Sequence, residues 1–338
     1  MTRLWTDGFE FQDLIGYCYV AGGDAAINTT TKRSGNASVF ISNSGPTSQG
    51  WFSFSVPGTS EFYLRFAMNV VATSTDWPTI AWQGGSLSGW IHFTNCNQVS
   101  IYVNGVLVDT GLTSLFGNTW YLIEVHVKLS ATVGIVEVRL DGVTTAEATF
   151  SGNTGTGSVD TIYFSESYSG LGDINRAYFD DLGMNNTAGG VDDSWCGEGK
   201  IIVMMPNDDS APLELTPSAA VHHHLLVDEV PTDSDTTYVE GSVINEEDMY
   251  KLTPSGLVDV DINRVWVESR TRKTSASDGQ VALITKAAGG AEVVGPDVDI
   301  LTTYSIKCLS TEQLENPVDT NPWEVADIDL IEIGPRTR

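Results

Sequence analysis

Alternation of apolar and polar residues across residues 116–142 constrains this chain more than any other feature. Tyr121, Ile123, Val125, Val127 and Leu129 fall on one face of an extended strand, and Glu124, His126 and Lys128 on the other. After Gly134 the pattern resumes, with Val136, Val138 and Leu140 on one side and Ile135, Glu137 and Arg139 on the other. A period of two sends successive side chains to opposite faces of a sheet, one dry and one wet. Asp141-Gly142 then supplies a tight turn. The pattern predicts a β-hairpin whose apolar face needs a second layer to cover it. Its polar face, His126 included, is expected in solvent.

The same period recurs along the first half of the chain. Residues 51–56 alternate aromatic or aliphatic side chains with serine before Pro57-Gly58, and residues 62–68, 79–82, 89–93, 160–164 and 177–182 read as further strands. Residues 98–109 fold back at Asn104-Gly105, a dipeptide that supplies positive φ at both central positions of a type I′ turn. Roughly ten to twelve short strands precede residue 187, with turn signals at the spacing of a sandwich. No stretch there shows a helical period. The 33 glycines suit a protein rich in turns. Two antiparallel sheets packed face to face are the simplest cover for so many half-buried strands.

A polar, glycine-rich stretch over residues 185–199 marks a domain boundary. The expected organisation is a β-sandwich over residues 1–187, a linker over 188–199, and a smaller, mainly β domain over 200–338. In the latter, residues 201–205 are expected to begin a new core element. Residues 246–252 read as a helical turn or a strand edge, and 257–268 as a long or bent strand. Residues 281–284, 302–309 and 328–333 read as strands.

Acidic residues outnumber basic ones 44 to 17, for a net charge of −27. That balance excludes a nucleic-acid backbone as partner, since phosphate binding needs a basic patch, and disfavours anionic membranes. No window approaches the ~20 apolar residues of a membrane span, and the N-terminal residues lack the basic-then-apolar pattern of a cleaved signal. Cys18, Cys96, Cys196 and Cys308 lie far apart, without CxxC spacing, so reduced structural thiols are expected.

Motifs for catalysis are missing. A laminarinase-type hydrolase needs carboxylates spaced E-x-D-x-x-E on one strand; here Glu246 and Asp248 are followed by Lys251. Asp233-Ser234-Asp235 begins like a calcium loop, but Tyr238 and Ile244 stand where glycine and glutamate belong. His222-His223-His224 alternates sides if extended, so the three do not converge on one metal within a chain, and an exposed polar run is expected. Asp180 and Asp181, at a strand end, are candidates for a hard cation, with a structural turn as the simpler role. Trp77, Trp82, Trp90 and His92 cluster near Gly84, Gly85 and Gly89. Exposed aromatics there suit stacking on sugar rings; the alternative is a core role.

Trp120-Tyr121-x-x-Glu124, then Val138-x-Leu140-Asp141-Gly142, then Tyr178-Phe179-Asp180-Asp181-Leu182, with Phe9 at the start, resembles the concanavalin A-like lectin/glucanase sandwich near its laminin-G-like branch. This resemblance implies an all-β, jelly-roll fold; the metal-site and sugar-site residues of plant lectins do not map onto this sequence. Gly199-Lys200 through Pro206, Val227-Asp228-Glu229, 235–239 and Asn321-Pro322-Trp323 resemble structural proteins of tailed bacteriophages. That second resemblance implies a non-enzymatic virion part of tail, fibre or head-decoration type, assembled in the host cytoplasm. Its partners would be capsid or tail proteins and further copies of itself, with no cofactor. The alternatives are an adhesin for a host-surface glycan and a glycan hydrolase whose acid pair comes from distant strands.

Overall fold

The computed structural model describes residues 3–14, 19–45, 48–71, 78–84, 89–93, 98–165, 176–276, 279–308 and 313–338. Two compact units emerge, Met1–Ile201 and Ile202–Arg338.

The first unit is a β-sandwich of a nine-stranded and a seven-stranded antiparallel sheet. The larger sheet runs Ala148–Gly152, Gly134–Leu140, Trp120–Lys128, Glu61–Val71, Arg176–Asn186, Ser38–Gly45 and Asp24–Asn28, with Arg3–Asp7 and Ser48–Gln49 pairing beside this path. The smaller runs Val106–Thr110, Val99–Val103, Gly89–Phe93, Thr79–Gln83, Val159–Ser165, Trp51–Thr59 and Tyr19–Gly22. The hairpin forms as its alternation predicts: Ile123 pairs with Leu140, Val125 with Val138 and Val127 with Val136, all six buried. Both predicted turns place two residues at positive φ, Asn104 (54°) with Gly105 (80°) and Asp141 (50°) with Gly142 (70°).

The inward faces meet in an aromatic layer. Phe52 and Phe164 stack at 4.7 Å within the smaller sheet, and Phe66 and Phe179 of the larger sheet meet Phe164 edge-on at 5.2 and 5.0 Å. All four rings are fully buried. Each contributes ~1.5–3 kcal/mol of transfer free energy by area, with offset and edge-to-face contacts adding to it.

Two residues of the hairpin's polar face, Glu124 and His126, are not in solvent, which corrects the expectation for them, while Lys128, Glu137 and Arg139 stay partly exposed. Glu124 is 4% and His126 7% exposed, because residues 195–201 lie over them as part of the first unit rather than as a free linker. Gly197 N donates to Glu124 Oε1 at 2.7 Å, Arg65 Nη1 donates to Gly197 O at 3.3 Å, and Arg139 sits 3.7 Å over the Trp195 ring. The His126 ring lies flat on Tyr63 at 4.2 Å and is 2.9 Å from Glu61 Oε1 through Nε2. Burial pulls the His126 pKa below the ordinary value, against the opposing pull of Glu61. A chain segment can cover a polar face because it brings its own donors and acceptors to satisfy it.

The second unit has a six-stranded sheet: Pro206–Leu213, Asp248–Leu252, Glu332–Thr337, Gln280–Lys286 and Val293–Val294, with Val298–Asp299 also pairing Gln280–Lys286. Two small clusters form its core, one of Val267, Val281 and Leu283, the other of Ala287, Trp323, Ile328 and Ile331. Several expectations change here. Residues 246–252 hold a strand, Asp248–Leu252, lying inside the sheet. Residues 257–267 form only isolated bridges, with Val258 75% exposed: alternation without a partner strand does not make a sheet. Residues 201–205 carry no strand, and Ile201 is buried in the first unit. Residues 328–333 divide between the short helix Val325–Ile328 and the strand Glu332–Thr337.

Two substitutions test this division of the apolar residues. Phe164→Ala is expected to cost about 3–5 kcal/mol in denaturant unfolding of the first unit. Val258→Ser, at an exposed position, is expected to stay within about 0.5 kcal/mol of wild type. A large loss at Val258 would show that 257–267 is a core strand after all.

Candidate functional site

The outer face of the seven-stranded sheet carries an aromatic row. Register places Tyr102 opposite Trp90, Trp90 opposite Ala81, Ala81 opposite Tyr163 and Tyr163 opposite Ser53. The adjacent register aligns Ser100, His92, Thr79, Ser165 and Trp51 in the same way. Antiparallel partners share a face, so these side chains all point away from the core. Trp90 stacks on Tyr102 at 5.2 Å and 8°, His92 meets Tyr102 edge-on at 6.5 Å, and Trp51 lies 6.3 Å from Tyr163. Trp51, Trp90, His92, Tyr102 and Tyr163 are all partly exposed, and His92 Nδ1 is held 3.0 Å from Thr79 Oγ1.

Of the four residues singled out from sequence, Trp90 and His92 belong to this face. Trp82 does not: it is 4% exposed and lies in the sandwich core, with its indole over Gly89. Trp77 lies outside the described residues. Trp51, Tyr102 and Tyr163 were missed, and their signal is phase. Trp51 falls in step with Ser53 and Ser55, on the outward half of its strand, where an aromatic has no core to fill.

A second cluster lies at Asp180 and Asp181. Asp180 Oδ2 accepts from the N–H groups of Arg33 (2.7 Å) and Ser34 (3.1 Å), and Oδ1 from Asp181 N (2.8 Å). Asp181 accepts from Ser34 Oγ (2.5 Å) and Ile201 N (2.7 Å) through Oδ1, and from Arg33 Nη1 (2.7 Å) through Oδ2. Both aspartates are fully buried. They bind three chain segments together, so the structural role accounts for Asp181 completely. Glu10 joins the cluster: Oε2 accepts from Asn36 N at 2.5 Å, while the buried Oε1 has no hydrogen-bond partner. Gly35, at φ +56°, allows this approach, since a Cβ there would fall 1.8 Å from Glu10 Oε1. Burial pushes Glu10 up to about 8, opposed by the Asn36 N–H and reinforced by the charges of Asp180, Asp7 and Asp181. Burial and the charge of Asp181 raise Asp180 to about 7, against three N–H donors.

The histidine run in the second unit is not simply an exposed loop. His223 and His224 open a short 3-10 helix, His223–Leu226, and their side chains are mostly buried. His223 Nδ1 lies 2.7 Å from Asp248 Oδ2, which also accepts from Tyr250 Oη at 2.8 Å; Asp248 Oδ1 accepts from Glu214 N (2.8 Å) and Leu215 N (2.9 Å). His222 and His224 turn instead to Asp209. Of the calcium-loop pair, Asp235 is engaged by Arg272 and Tyr304.

No family model matches the chain. No curated protein matches it in sequence. Among solved structures, the cellulose-induced protein Cip1 aligns over 58% of this chain and 100% of its own, at 18% identity and a TM-score of 0.45. A sialidase aligns over 55% of this chain but 19% of its own, at 9% identity and 0.45. Lectin I-B4 from Griffonia simplicifolia, in its metal-free form, aligns over 50% of this chain and 92% of its own, at 13% identity and 0.37. These likenesses add nothing to the β-sandwich that the two sheets define by themselves.

The carboxyl cluster makes the first unit sensitive to pH. Glu10 and Asp180 keep protons in the folded protein where the unfolded chain has lost them. Their contribution to stability is therefore complete below about pH 4 and fades as pH rises through about 7–8. Between pH 5 and 8.5 the melting temperature of the first unit is expected to fall. Glu10→Gln, which keeps an acceptor for Asn36 N, is expected to raise it at pH 8.5 by at least the ~2–4 °C that 1 kcal/mol is worth in a unit this size. Equal pH slopes for the two proteins would exclude this assignment.

Proposed function

We propose that the first unit is a non-enzymatic glycan-binding module, and that its binding surface is the outer face of the seven-stranded sheet. The aromatic row carries this reading. Aromatic side chains offer flat apolar area with polar edges, which suits the C–H faces and hydroxyl rims of sugars. Trp90 and Tyr163 stand two strands apart, roughly 10 Å, with Ala81 between them, so two rings border a shallow trough floored by a small side chain. Thr79, His92 and Ser165 lie one register along and offer hydrogen-bonding groups at its side. The row and its neighbouring register hold no carboxylate, so they lack the acid pair that glycoside hydrolysis needs. The sandwich supplies rigidity: each outward aromatic sits between inward residues fixed in the core, so little ordering is left to be done on binding.

The virion placement, the capsid or tail partners and self-association keep the sequence resemblance as their only support. Presence of the chain among the proteins of purified phage particles tests them directly.

A glycan array with the full chain is the first measurement, followed by titration of any hit. Trp90→Ala and Tyr163→Ala are each expected to weaken binding about tenfold or more, near 1.4 kcal/mol, with unfolding transitions unchanged. Trp82→Ala is expected to do the reverse, costing about 3–5 kcal/mol of stability because it empties a core position. Binding untouched by Trp90→Ala and Tyr163→Ala in a folded protein would move the site elsewhere. A blank array would remove the reading.

A further inference from the structure

We propose that Asp209, His222 and His224 form a binding site for one divalent transition-metal ion of the zinc class in the second unit. One ligating atom from each residue lies within 4.8 Å of the other two. His222 Nδ1 stands 3.0 Å from Asp209 Oδ2, and His224 Nδ1 3.0 Å from Asp209 Oδ1. A tetrahedral ion with bonds near 2.0–2.1 Å needs its donors roughly 3.3 Å apart. The two histidine–aspartate separations are already close to that figure. The histidine pair has to close by no more than about 1.5 Å, a matter of ring rotation about χ1 and χ2.

The fold prepares this arrangement. Asp209 lies on Pro206–Leu213, an edge strand, and its carboxylate is held by more than the imidazoles: His223 N donates to Oδ2 at 3.2 Å and His224 N to Oδ1 at 2.8 Å. These backbone donors orient the carboxylate as outer partners orient metal ligands elsewhere. His223 points away, tied to the buried Asp248, while His222 at the N-cap and His224 in the first turn of the 3-10 helix both reach Asp209. The anchoring of the middle histidine therefore sets the geometry of the outer two. His224 and Asp209 are 12% and 14% exposed, whereas His222 is 71% exposed, which gives an ion a path in from solvent.

The donor set selects the class of ion. Two imidazoles and one carboxylate suit zinc, nickel, cobalt or copper; calcium and magnesium prefer all-oxygen shells. Three protein ligands leave a fourth, solvent-facing position of a tetrahedral ion for water or another small donor. In the metal-free protein, imidazole N–H groups donate to the carboxylate. Binding replaces each Nδ1–H contact with an Nδ1–ion bond as the neutral ring shifts its proton to Nε2, so each imidazole stays neutral and the carboxylate passes from the N–H donors to the ion.

The test uses the untagged, full-length chain, stripped with EDTA and dialysed, and titrated calorimetrically with zinc chloride. One ion per chain is expected. His222→Ala, an exposed truncation with little packing to lose, is expected to weaken binding at least tenfold, and His222→Ala/His224→Ala to abolish it, with far-UV circular dichroism unchanged. Cobalt chloride is expected to give a visible ligand-field spectrum with the native chain and none with the double variant, while calcium chloride at the same concentration produces no heat that zinc competes away. Stoichiometric zinc binding that survives in the folded double variant would place the ion elsewhere and overturn the proposal. So would the absence of saturable zinc binding to the native chain at 100-fold lower than millimolar concentration, about 10 µM, the range in which a preformed three-ligand site is expected to fill.

Discussion

The contact between two dry sheet faces is what everything else in the first unit depends on. Phe52, Phe66, Phe164 and Phe179 fill the space between the sheets, and the alternating aliphatics of the hairpin extend that layer. Burial of that area is non-directional and would tolerate many arrangements. Direction comes from the pleat. A one-residue slip in any pairing would move the whole apolar set of a strand to the wrong face, so register is fixed wherever one face is buried. The row of outward aromatics inherits its alignment from that requirement.

The two outer faces of the sandwich are treated differently. On the larger sheet, residues 195–201 cover Glu124 and His126, and Asp181 receives Ile201 N from the end of that segment. Arg65 belongs to the same layer. It lies opposite Glu124 in register and donates to Asp181 O at 3.2 Å and Gly197 O at 3.3 Å. Desolvation disfavours such buried charges, and the hydrogen bonds they make offset part of it. Cys196 sits within the same cover, its thiol directed at the carbonyls of Tyr63 and Gly183 and its pKa raised by burial.

Much of the sandwich was legible in the sequence because period two is a local signal with a single structural meaning. The hairpin, the Asn104-Gly105 and Asp141-Gly142 turns and the strands on either side appear as expected. The second unit was harder to read. Its strands are short, its core is split into small clusters, and residues 257–267 alternate without finding a partner. Whether a strand is paired is a tertiary fact that its own sequence does not hold. The same reason hid the cover over the hairpin: a glycine-rich stretch has the composition of a linker whether or not it docks. For the aromatic face, clustering along the chain misled, whereas phase along each strand would have helped. Trp82 and Trp90 are near neighbours in sequence, yet one is core and the other faces out. The histidine run needed Asp209 and Asp248, which no spacing rule connects to it.

The alternation that builds the smaller sheet also separates two kinds of selection. Trp51, Trp90, Tyr102 and Tyr163 occupy outward positions, while the residues between them on the same strands hold the sheets together. Substitutions at the outward positions can therefore accumulate with little loss of folding free energy, and those at the inward positions cannot. A lineage carrying this domain is free to remodel one face rapidly while conserving its scaffold. On the larger sheet the patch around Glu124 and His126, held under residues 195–201, has no such latitude.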